Sequence, residues 1–135
     1  MYEGWVAERW ETPLSGAQRL SLLELHDDGD LVLLLADEED PEGRVFRFCF
    51  PEPPAYRNIQ EPFRLELWEA FTPELLPRTG PFLRIPASPW VEELQSREPL
   101  LQAWHPDLQH YMVCTPTDVV EVLCSAPPEI HEVED

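Results

Sequence analysis

Hydrophobic positions along this chain recur mostly with period two, the spacing of a strand. Residues 19–27 and 30–37 form two apolar runs on either side of Asp28-Gly29. Asp-Gly between such runs predicts a hairpin with a two-residue type I′ turn, which needs positive φ at both central residues. Pairing Asp27 with Asp30 would place Leu23 and Leu25 on one face with Val32 and Leu34. Leu20 and Leu22 would share the other face with Leu31, Leu33 and Leu35. Both faces are then apolar, so these strands are expected to be covered at least in part on both sides. Further on, Phe46, Phe48 and Phe50 alternate with Val45, Arg47 and Cys49, and Pro51, Pro53 and Pro54 end that strand. A second extended stretch is expected over 56–71, where Phe63, Leu65 and Leu67 alternate with Arg64, Glu66 and Trp68. Five prolines between 72 and 89 predict mostly loop, with a short strand at 82–85.

The period then changes. Ser88 is a helix N-cap, Pro89 suits the first helical position, and Glu92 and Glu93 lie near the positive end of the dipole, so a helix is expected over 89–95. Trp90 and Leu94 are four apart and should face the sheet. Strands return at 110–115 and 118–124 around a Pro116-Thr117 turn, and residues 126–135 read as a frayed acidic tail. Strands dominate, no βα alternation occurs and no repeat is visible. The expectation is a single α+β domain over 1–135: a twisted antiparallel β-sheet with one helix packed on a face.

Composition narrows the partners. The chain has 135 residues, 43% of them hydrophobic, enough apolar material for a packed core. Nine basic residues face 27 acidic ones, a net charge of −18, and all nine are arginine. Nucleic-acid affinity rests on neutralising phosphate, so such a charge argues against a nucleic-acid binder. It argues equally against docking on anionic lipid, and it favours attraction to a cationic protein. The longest apolar run, 31–36, is far short of the roughly 20 residues of a membrane span. The opening Met-Tyr-Glu-Gly-Trp lacks the basic and apolar regions of a secretory signal. Cys49, Cys114 and Cys124 are odd in number and lack CxxC spacing, which reads as buried thiols in a reducing compartment. A cytoplasmic location is therefore expected.

No stretch carries a complete catalytic, cofactor or metal motif. His26-Asp27-Asp28-Gly29-Asp30 is explained by the turn and lacks the ligand spacing of a Ca²⁺ loop. His105 and His110 are five apart near Asp107 and Cys114, but a structural zinc site needs four ligands at defined spacing. There is no Gly-x-Ser-x-Gly elbow and no glycine-rich phosphate loop. Glu66 and Glu69 are not distinctive as an acid–base pair in so acidic a chain. The expectation is therefore no cofactor and no metal. Among the five tryptophans, Trp68 stands between Glu66 and Glu69, an aromatic anchor ringed by acids of the kind found in protein–protein hot spots. The densest acidic block outside the tail is Asp37-Glu38-Glu39-Asp40-Pro41-Glu42. Asp37, Glu38, Glu39, Asp40 and Glu42, with Glu66, Trp68 and Glu69, are the candidate partner-binding residues.

Several runs in the second half form a pattern: Tyr56-Arg57-Asn58-Ile59-Gln60-Glu61, Ser88-Pro89-Trp90, His110-Tyr111-Met112-Val113, 115–122 and Pro127-Pro128-Glu129-Ile130. Over residues 56–130 this resembles a group of small bacterial cytosolic proteins, some of them cognate immunity proteins encoded beside secreted toxins. The motifs are structural signatures, so the resemblance implies a shared fold and carries over no functional residue. With the acidity and the lack of catalytic equipment, it gives the expectation of a non-enzymatic binding protein, an immunity-type inhibitor of a cationic toxin or effector. The alternatives are an enzyme or small-ligand protein with a site built from scattered residues, and a homo-oligomeric subunit.

Overall fold

A computed structural model describes residues 6–60 and 79–134. Its elements are β1 (Glu8–Arg9), β2 (Leu20–Asp27), β3 (Leu31–Asp37), β4 (Val45–Phe50), β5 (Ala55–Gln60), β6 (Phe82–Arg84), helices α1 (Pro89–Arg97) and α2 (Pro99–Trp104), β7 (Gln109–Cys114), β8 (Asp118–Cys124) and β9 (Glu129–Glu132). All strand pairs are antiparallel. They form two sheets rather than one, ordered β1-β6-β7-β8-β5 and β2-β3-β4-β9. The α+β class with an antiparallel sheet stands, mostly β in content. Of the extended stretch expected over 56–71, β5 is seen; residues 61–71, with Glu66, Trp68 and Glu69, lie outside the described residues.

The second sheet follows from the pattern of apolar residues. In β7, Tyr111 and Val113 point one way and His110, Met112 and Cys114 the other, and all five are buried. One sheet face packs on the other sheet. Trp10, Leu31, Leu33, Leu35, Phe48 and Phe50 meet Phe82, Tyr111, Val113, Val120 and Val122 in one core. Trp10 sits at its centre, with its ring 4.8 Å from Tyr111, 5.5 Å from Phe82 and 6.0 Å from Phe48. The opposite face of the five-stranded sheet is covered by the helices, where Val91, Leu108 and Leu123 pack with Trp90, Leu94 and Leu101.

The hairpin forms where expected, but its loop is one residue longer. Asp27 pairs with Leu31, and Gly29 has φ +112°. A one-residue slip would turn every side chain of a strand to the other face. A bulge between Leu22 and Glu24 corrects it, so Leu20 and Leu22 keep the expected face. Leu25 lies opposite Leu33 and packs on the core instead of joining Val32 and Leu34. The displaced residue, Leu23, is 55% exposed.

The tail is corrected outright. Residues 129–132, expected to fray, pair with β4, and Ile130 lies opposite Phe48 against the core. The burial of Ile130 outweighs the acidity of its neighbours. Helix α1 starts as expected: Ser88 caps it, its side chain accepting Val91 N–H at 3.2 Å. No helix in the described residues is long and apolar enough to cross a membrane.

Candidate functional site

The outer face of the five-stranded sheet holds four polar side chains from four separate elements. Arg57 on β5 lies directly opposite Glu121 on the neighbouring β8. Its guanidinium donates twice to that carboxylate, Nε to Oε2 at 2.7 Å and Nη2 to Oε1 at 3.1 Å. On the other side of β8, His110 of β7 brings Nε2 to 2.9 Å from Glu121 Oε1. His110 Nδ1 is 2.7 Å from Ser88 Oγ, the cap of α1. An imidazole protonated on Nε2 satisfies both contacts: it donates to the carboxylate and accepts from the hydroxyl. The ring of Trp90 closes the cluster. Arg57 lies 4.0 Å over it, and His110 meets it edge-on at 5.4 Å.

A turn delivers Ser88 to this place. Ile85 N–H bonds His110 O at 2.9 Å, and Ala87 adopts φ +49°, reversing the chain so that the serine sits above β7. A serine–imidazole–carboxylate line is the arrangement that can activate a nucleophile. Here the hydroxyl is engaged as a helix cap and is 6% exposed; His110 is 1% exposed and Glu121 not at all. What the arrangement does in this fold is tie β5 and β7 to β8 through charge-assisted hydrogen bonds to Glu121, and fasten the first turn of α1 to the sheet through the Ser88–His110 bond. Arg57, Ser88, Trp90, His110 and Glu121 all fall within the sequence motifs described above, and three dimensions bring them together. Sequence reasoning saw the motifs and missed the cluster. The signal was Glu121, a carboxylate between Val119-Val120 and Val122-Leu123, which a buried strand tolerates only when it is paired.

Helix α2 follows one residue later. Leu101 packs inward, and Leu100 and Trp104 stand outward, 68% and 76% exposed. The far end of α2 is fixed too: His105 N–H bonds Leu101 O at 2.8 Å, and His105 Nδ1 meets Ser125 Oγ at 2.7 Å at the end of β8.

The acidic loop candidates are placed differently from an open cluster of charge. Asp37 Oδ1 accepts the backbone N–H groups of Arg19 and Glu39. Asp40 accepts those of Glu42 and Arg44 and the Arg44 Nε–H, and these bonds hold its carboxyl below the usual range, the Arg44 side chain contributing most. Glu38 pairs with Arg19 at 2.7 Å and Glu42 with Arg44 at 3.4 Å. Glu39 keeps an exposed side chain. At the hairpin end, Asp27 accepts Gly29 N–H and the Tyr56 hydroxyl, both at 3.0 Å, the second bond joining the two sheets. Among the described residues, no three His, Cys, Asp or Glu side chains gather as a metal site. Cys49, Cys114 and Cys124 form no disulfide, and the Cys124 thiol donates to Pro51 O at 3.3 Å.

No family model, curated protein or solved structure matches this chain.

Proposed function

We propose that this protein is a non-enzymatic binding domain for a cationic protein, acting as an immunity-type inhibitor of a toxin or effector. The observation that supports this most is the fate of the arginines. Arg9, Arg19, Arg44, Arg57, Arg84 and Arg97 each meet a carboxylate within the chain. These six of the nine arginines are neutralised where they stand, and the net charge of −18 is carried by the carboxylates in excess. A surface dominated by negative charge steers an oppositely charged partner and repels acidic competitors. Compartment and origin belong to the same proposal: an inhibitor of this kind works in the bacterial cytoplasm.

The test is affinity capture on the immobilised chain, followed by kinetics with the purified captured protein. A basic partner is expected. Its association rate should fall severalfold as salt rises from 10 to 150 mM, a range over which the Debye length shrinks from about 30 to about 8 Å. Its toxicity in a bacterial host should be relieved by co-expression. An acidic or neutral partner, or association indifferent to salt, overturns the reading.

A further inference from the structure

We infer that the outward face of α2, carrying Leu100 and Trp104, is the anchor of the docking surface, and that its occupant is an arginine-bearing segment of the cationic partner. The inference rests on the binding function proposed above and adds where, and by what chemistry, the partner is held. Leu100 and Trp104 are four residues apart on one helix, so they form a single surface. The other large exposed apolar side chains of the described residues are scattered: Val6 near the N-terminus, Leu23 at the bulge and Val133 in the tail. The fold does not use Trp104 for packing, since Leu101 fills the space beneath α2.

This face is also held in place before any partner arrives. Ser88, His110, Glu121 and Arg57 fix α1 at its start, Glu98 N–H closes α1 on Leu94 O at 2.9 Å, and His105 fixes the end of α2. A pre-positioned aromatic ring loses little freedom on binding, which is what makes such side chains energetic anchors. Charge selects the occupant. Exposed Glu98 and Asp107 flank the helix in a chain of net charge −18. An exposed aromatic ring on a chain this acidic suits a guanidinium, which stacks and pairs at once. The same chemistry already operates inside the fold, where Arg57 lies over Trp90. A second copy of the chain would bring −18 against −18 and is disfavoured.

The probe is a labelled arginine-rich peptide, with a lysine counterpart of equal charge, titrated against the full chain by fluorescence anisotropy. Trp104→Ala is expected to weaken the arginine peptide about tenfold, and Leu100→Ala less. Trp104→Phe should retain most of the affinity. The arginine peptide should bind more tightly than the lysine one, and Trp104→Ala should abolish that preference. Thermal melting serves as the folding control and should be unchanged by these exposed substitutions. If Trp104→Ala and Leu100→Ala bind like the unaltered chain while binding still weakens with salt, the anchor is wrong and the binding function stands. If neither peptide shows salt-sensitive binding, the binding function itself fails. Self-association abolished by Trp104→Ala would assign the face to a second copy and overturn the inference.

Discussion

Replacing Glu121 by Gln keeps the shape of the side chain and removes its charge. The hydrogen bonds that change character include the two from Arg57 and the one with His110. Removing one partner of a buried ion pair outright costs about 3–5 kcal/mol. Two features reduce that here. The amide can still accept one bond, and the Arg57 side chain is 27% exposed, so water screens its charge. A loss of about 2–3 kcal/mol follows, from weakening charge-assisted bonds to neutral ones. For a chain of this length the unfolding entropy is about 0.28 kcal/mol per kelvin, so the melting temperature should fall by about 7–11 °C. Calorimetry and urea unfolding measure this directly, the second with unchanged slope. A double-mutant cycle with Arg57→Met and Glu121→Leu isolates the pair, because the His110 contact is lost in both the Glu121 single and the double variant. Their coupling should exceed about 1 kcal/mol. A drop below about 3 °C, with coupling near zero, would show that the Arg57–Glu121 pair does not hold β5 to β8.

Gly80→Ala should destabilise by at least about 1–3 kcal/mol, because Gly80 has φ +77° and an added Cβ would clash with Ser15 O; urea midpoints measure it. Asp27 is held below its ordinary pKa, first by the Gly29 N–H and then by the Tyr56 hydroxyl. A lowered carboxyl stabilises the fold above its unfolded value of about 3.9 and loses that contribution as pH falls through its folded value. Its NMR titration should therefore lie below about 3.9, and Tyr56→Phe should raise it only in part, since the larger contribution remains.

Much of the fold was legible because it is written locally. Asp28-Gly29 marks the hairpin, Ser88-Pro89 the start of α1, and Phe46-Phe48-Phe50 the inward face of β4. What escaped depends on non-local competition. The loop length at Asp28–Asp30 and the compensating bulge at Leu23 offset each other, so composition shows neither. Helix α2 lies between Pro99 and Pro106, residues that read as loop until one notes that proline is tolerated at a first helical position. The tail strand hides one partly buried isoleucine among acids. The candidate site was the least legible part. Arg57 and Glu121 are 64 residues apart and Ser88 and His110 are 22 apart, so no spacing rule links them. The acidic loop, by contrast, was conspicuous in sequence, yet much of its charge is engaged in shaping its own turns.

The order of strands has a consequence for synthesis. The β2-β3-β4 hairpins leave the ribosome early, while the sheet that covers their apolar face needs β8, which ends at Cys124. At about 5–20 residues per second, a nascent chain past residue 60 carries Leu31, Leu33, Phe48 and Phe50 without their lid for about 3–13 s. β9 is the last of the described strands to emerge. Net charge far from zero disfavours association between like chains, and this chain carries −18.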